Sequence, residues 1–195
     1  PTYGTRTLTP ETTETNRISI SGKSKILNAG YSLNAYKSKI SNLIASASGT
    51  YIYYNANGET NISGIEGNIN SELGKNLFSN FGFATTHKKT SDNKKNQLLP
   101  RYSLSGSLNY IIDENFNLNT NLTYSEGSYD TSKVELPSYT LVGLKGNFKI
   151  NNKSQFNLSV VNIFDEDYDV NRGYNTSGRA LYLGFKSEFL GIIWN

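Results

Sequence analysis

The chain has no cysteine, no methionine, one histidine (His87), one tryptophan (Trp194) and four prolines among its 195 residues. Without cysteine there is no disulfide scaffold and no thiolate metal site, and the lack suits a secreted or envelope protein. With one histidine no paired-His metal motif forms, and a Ser-His-Asp triad would have to use His87. No Gly-x-Ser-x-Gly elbow presents a serine and no Gly-x-x-x-x-Gly-Lys loop cradles a phosphate, so no catalytic constellation is present and an enzyme is not expected. No run approaches the ~20 apolar residues that a spanning helix needs. Hydrophobic residues make up 36% of the chain, below the usual range for a globular domain. The nineteen Lys and Arg are scattered against sixteen Asp and Glu, leaving a net charge of +3 but no stripe for nucleic acid.

What the chain does have is alternation. In Asn115–Ser125, NFNLNTNLTYS, Phe116, Leu118, Thr120, Leu122 and Tyr124 fall on one side. Asn115, Asn117, Asn119, Asn121, Thr123 and Ser125 fall on the other. A strand repeats every two residues, so the segment has one apolar and one polar face. The pattern recurs along nearly the whole chain, with polar faces built from Asn and Ser rather than from charges. Segments of about ten residues with lipid-facing and lumen-facing positions in alternation are the signature of an antiparallel transmembrane β-barrel. The fourteen Tyr and nine Phe suit aromatic girdles at the membrane interfaces.

Nine such segments can be marked. They cover about Thr15–Leu27, the stretch from Gly30, Ile65–Leu73, Leu77–Thr86, Arg101–Ile112, Asn115–Ser125, Val142–Ile150, Phe156–Val160 and Leu181–Phe189. Short connections fall near Asn28-Ala29, Gly74-Lys75, Asp113-Glu114 and Asn151–Lys153; long ones cover roughly Leu43–Thr60, His87–Pro100, Gly127–Pro137 and Asp165–Ser177. Outer-membrane barrels pair short periplasmic turns with long extracellular loops, and a soluble sandwich has no reason to sort its loops by parity. If the short turns are periplasmic, the ninth strand ends inside and the first begins outside, whereas a complete bacterial barrel has an even strand count with both ends inside. Nine strands also leave two open edges, and open edges are not tolerated in hydrocarbon. The expectation is therefore the last part of a larger barrel, residues 1–189, followed by a tail at 190–195. The missing strands are expected upstream of Pro1.

Several short stretches resemble the TonB-dependent outer-membrane receptors, which include receptors for siderophores, haem and cobalamin. Leu8-Thr9-Pro10-Glu11-Thr12 is similar to the end of the family's Asn-Pro-x-Leu-x-Pro-Glu segment, with Thr5-Arg6 in place of Asn-Pro. Gly64-Ile65-Glu66 resembles a Gly-Val-Glu that opens a strand, Leu99-Pro100-Arg101 a Pro-Arg before a strand, and Tyr139–Val142 a further match. The most specific is Asn162-Ile163-Phe164-Asp165-Glu166-Asp167-Tyr168, followed by Gly173-Tyr174 and Gly178-Arg179. It resembles Asn-Leu-Phe-Asp-x-x-Tyr with the Gly-Arg that opens the closing strand. The resemblance implies a 22-stranded barrel around an N-terminal plug, an architecture with a filled lumen. It implies active transport of a scarce small-molecule ligand, with TonB engaging the plug, and an outer-membrane location. Gly184, Phe185 and Phe189 fit the terminal pattern read by assembly machinery, whereas Ser187 stands where an aromatic is expected. Trp194 is the alternative terminal aromatic.

Candidate sites have bland readings beside the sharp ones. Tyr51, Tyr53 and Tyr54 in the first long loop could stack on a ligand or extend the outer girdle. Arg172 and Tyr174 in the last loop could contact an anionic siderophore. Asp165, Glu166, Asp167 and Asp169 could bind a divalent cation but lack EF-hand spacing; the plainer reading is a solvated loop base with Asp165 paired to Arg179. His87 could ligate haem iron or simply mark a strand end. His87-Lys88-Lys89 and Lys94-Lys95 could touch lipopolysaccharide phosphates or be a solvated loop. No resident cofactor is expected. Two other functions fit the pattern: a passive outer-membrane pore or structural barrel, and a soluble β-rich adhesin module.

Overall fold

The computed structural model describes residues 7–46, 52–90, 99–130 and 134–188. Among these described residues thirteen strands run in the order β1 Thr12–Ser24, β2 Ala29–Ser41, β3 Ile44–Ser46, β4 Tyr53–Asn55, β5 Glu59–Gly74, β6 Leu77–Lys89, β7 Tyr102–Ile111, β8 Phe116–Ser125, β9 Ser128–Tyr129, β10 Glu135–Leu136, β11 Tyr139–Asn151, β12 Ser154–Val161 and β13 Ala180–Ser187. Nine of them form one antiparallel sheet in the order β1-β2-β5-β6-β7-β8-β11-β12-β13. The others make two small hairpins, β3 with β4 and β9 with β10. Among the described residues each strand of the sheet touches only its sheet neighbours, so nothing covers either face.

Register turns the local alternation into two continuous faces, because directly paired residues point the same way. One row runs Ile20, Leu33, Gly67, Phe83, Leu104 and Tyr124 across β1 to β8. Another runs Tyr110, Leu118, Gly146, Leu158 and Leu183 across β7 to β13. The opposite face carries rows such as Asn70, Asn80, Ser107, Asn121 and Gly143.

Burial shows which face curves outward. Along Tyr31 to Ile40 the apolar-face positions are exposed and the polar-face positions are partly shielded, without exception. The apolar face is therefore convex and the amide face concave. Leu104, Leu122 and Leu144 remain 37–40% exposed, and among the described residues the buried apolar ones are Ala29 and Leu136. A water-soluble chain would cover such a surface, and apolar surface of this extent marks a membrane or partner interface.

The short turns use Asx chemistry. Asp113 Oδ1 accepts from the amides of Asn115 (2.7 Å) and Phe116 (2.8 Å), and Asn151 Oδ1 accepts from Lys153 N at 2.9 Å. Asn28 adopts a left-handed φ of 44° in the first turn, a conformation asparagine tolerates better than most residues. All four short turns lie at one end of the sheet and all four long connections at the other, as the loop parity predicts.

Some boundaries differ from expectation. β1 lies three residues earlier, at Thr12–Ser24 rather than Thr15–Leu27, because Ser24 Oγ accepts from Leu27 N (3.3 Å) and draws 25–28 into the turn. β5 reaches back to Glu59, and the loops expected at 43–60 and 127–137 each hold a hairpin. Phe189, the tail 190–195 and Trp194 lie outside the described residues.

Candidate functional site

The concave face is a wall of amides, hydroxyls and glycines. Asn68 Nδ2 donates to Asn80 Oδ1 (3.2 Å), Asn70 Nδ2 to Asn68 Oδ1 (2.8 Å), and Asn147 Nδ2 to Asn117 Oδ1 (2.8 Å). Asn80 and Asn70 are also bonded to each other. Each amide thus satisfies part of its hydrogen-bonding capacity from a neighbouring strand while keeping a polar edge toward the interior. Near the short turns this wall holds a cavity of about 550 Å³, lined by Lys23, Asn70, Glu72, Asn80 and Asn109 among others.

The long-connection end carries the loop candidates. Tyr53 and Tyr54 stand on β4, paired with Ser46 and Ala45, each 45% exposed. They belong to a hairpin outside the nine-stranded sheet, not to a row of its outward face. Tyr51 lies outside the described residues. The hairpin is tied down by Asn55, which sequence reading missed: its Nδ2 donates to Thr9 O (2.8 Å) and Asn42 O (2.7 Å), and its Oδ1 accepts from Thr9 N (2.8 Å). Ile44 N donates to Glu11 Oε1 at 2.7 Å, so the Thr9–Glu11 segment braces the same loop.

Arg172 and Tyr174 lie in the last connection, both exposed. Sheet order places that connection beside β13, at the far edge from β2, so the open sheet does not bring the two loop candidates together. The base of the last connection is fixed by two left-handed residues, Asn162 (φ 50°) and Asp165 (φ 58°). Buried Asn162 accepts from Glu166 N and donates to Glu166 O, both at 2.9 Å. Asp165 Oδ1 accepts from Arg179 N at 2.6 Å, with the two side chains 3.9 Å apart at their charged ends. Asp165 is therefore committed to holding the loop, which is the plainer of its two readings. Tyr168 packs against Tyr139 with the rings tilted by 38° and their centres 4.6 Å apart, and joins this loop to the start of β11.

His87 and Lys89 point outward from the upper end of β6, and Lys88 lies on the inward side, as the pairing of Thr85 with Ile65 fixes. Gly184 lies on the inward face opposite Asn157, and Phe185 on the outward face opposite Phe156.

Comparison with known proteins places this geometry. Residues 1–163 match the family described as TonB dependent receptor-like, beta-barrel. The vitamin B12 transporter BtuB of Vibrio cholerae is 26% identical over 199 residues, covering 97% of this chain and 31% of that protein. The copper transporter OprC superposes with a TM-score of 0.79 at 14% identity, over 97% of this chain and 34% of that one. The siderophore receptor PirA of Acinetobacter baumannii gives 0.78 at 17%, over 93% and 32%. The chain thus spans about a third of the length of the relatives it matches. With its outward apolar belt, amide-lined interior and loops sorted by length, the chain belongs to the TonB-dependent receptor β-barrel family.

Proposed function

We propose that the whole protein is an outer-membrane receptor that imports a scarce ligand of the siderophore, haem or cobalamin class, driven through TonB. This chain supplies nine strands of its wall, with the remaining strands and a plug domain completing the barrel. The observation that carries the reading is the single antiparallel sheet with an uncovered convex apolar face and a concave amide face. Lipid satisfies the first and a wet or plugged lumen the second. The activities of these relatives, vitamin B12 and copper transport, support uptake as the task. Residues 1–189 act as the C-terminal barrel segment, 190–195 as a tail, and Gly184, Phe185 and Phe189 as an assembly signal.

Tyr53 and Tyr54, with Tyr51, and Arg172 with Tyr174 are the proposed ligand contacts. Tyr53, Tyr54, Arg172 and Tyr174 sit on long connections at one end, and ring closure would set the first and last of these connections around one mouth. Aromatic rings supply contact area at low entropic cost, and arginine holds an anionic oxygen by paired hydrogen bonds. Outer-membrane lipid and lipopolysaccharide would surround the belt. The test is uptake by cells expressing the full receptor, with and without TonB, offered ferric siderophores, haem and cobalamin. TonB-dependent accumulation of one of these supports the reading, and equal passive leakage of all of them overturns it.

A further inference from the structure

The strands β1, β2, β5 and β6 stand taller than the apolar belt. The outward row Ile18, Ala35, Ile65 and Thr85 ends the belt toward the long loops. The next outward row is Asn16, Lys37, Ser63 and His87, and the one above it Glu14, Lys39, Asn61 and Lys89. Lys37, Lys39, His87 and Lys89 are all exposed. Three lysines and a histidine thus gather on the outside wall, Lys37 and His87 two residues and Lys39 and Lys89 four residues beyond the last hydrocarbon-facing row.

The acidic groups facing this shelf are Glu14 and Glu59. Glu59 is taken by Lys39, whose Nζ lies 2.6 Å from its Oε1, and Glu14 stands directly across from that same lysine. Lys37, His87 and Lys89 have no side-chain hydrogen bond or ion pair among the described residues. With strands about 4.8 Å apart, Lys37 and His87 are separated by roughly 10 Å, a span that a bulky multi-phosphate headgroup covers.

We propose that Lys37, His87 and Lys89 form a binding shelf for the phosphates of an outer-leaflet glycolipid, lipopolysaccharide. This rests on the outer-membrane reading above and adds to it a defined site on the outside of the wall. Acyl chains lying against Ile18, Ala35 and Ile65 bring their headgroup to the height of the next two rows. Basic residues beside a lipid surface attract anionic headgroups, and the attraction is screened by salt. Lys88, although adjacent in sequence, takes no part because it is on the inward side.

The test is native mass spectrometry with phosphate analysis of the full receptor, extracted from outer membranes in mild detergent. The wild type is expected to retain lipopolysaccharide. The Lys37→Gln/Lys89→Gln variant should retain roughly tenfold less or lower, as expected for two lysines at a lipid surface. Lys37→Arg/Lys89→Arg should restore retention, and Lys153→Gln, in a turn at the opposite end, should leave it unchanged. Equal retention by the double glutamine variant overturns the proposal, as does a wild type that retains phosphatidylglycerol but no lipopolysaccharide. A receptor that binds lipopolysaccharide as expected yet imports no ligand would sink the transport reading and leave the shelf standing.

Discussion

Gly184 on β13 faces Asn157 on β12, and the Asn157 amide fills the space where a Cβ on residue 184 would sit. The same relation holds between Gly143 and Asn121. On the convex face the rings of Tyr31 and Phe83 lie over Gly22 and Gly67 in the same way. Glycine in these strands makes room for a large neighbour, so its lost strand propensity is offset by the neighbour's packing.

Gly184→Val should therefore cost about 1–3 kcal/mol, typical of overpacking, because Asn157 must leave its position. Adding Asn157→Ala should recover part of that loss. The thermal midpoints of the two single variants and the double variant give the coupling directly. Additive effects would show that the pair does not interact.

Asn162→Ala removes both hydrogen bonds to the Glu166 backbone and leaves the partly buried Glu166 amide without its side-chain acceptor. The expected cost is about 1–3 kcal/mol, and limited proteolysis should newly cut within residues 163–179. Protection equal to the wild type would mean that Tyr168 on Tyr139 holds the loop unaided.

The two faces should answer differently to the same charge. Leu122→Arg, outward near mid-belt, should cost about 2–4 kcal/mol on refolding into bilayers. Asn121→Arg, one residue earlier and inward, should cost far less. Folded fraction against denaturant separates the two.

Asn55→Ala should loosen the β3–β4 hairpin by removing its bonds to Thr9 and Asn42. Each lost bond is worth about 0.5–1.5 kcal/mol. If Tyr53 and Tyr54 contact ligand, this variant should weaken binding mainly through a faster off-rate, because the tyrosines remain but are less well held.

Most of the sheet was legible because a half-exposed strand writes its two environments into alternate residues. Phe116 to Ser125 was legible almost to the residue, since every outward position is apolar or Thr and every inward one Asn, Thr or Ser. Where alternation meets a side-chain-capped turn it misleads. Ile26 and Leu27 continue the apolar rhythm of β1, yet they are exposed turn residues because Ser24 captures the Leu27 amide. The loop hairpins were not legible at all: three-residue strands are too short to show a period, and their anchors, Asn55 and Asp130, are polar residues in polar surroundings. Asp130 is 3% exposed and accepts from Val134 N at 2.8 Å, closing the β9–β10 hairpin. The shelf at Lys37 and His87 needed the register, because fifty residues of sequence separate its members.

The most direct test of the account is site-directed spin labelling of the reconstituted receptor at Leu104, Leu122 and Leu144 and at Ser105, Asn121 and Lys145. The labels at the three leucines should be relaxed by oxygen dissolved in the bilayer and shielded from a water-soluble nickel chelate. The other three should be insensitive to membrane oxygen. Leucine-site labels that respond to nickel while the Asn121 label responds to oxygen would contradict it.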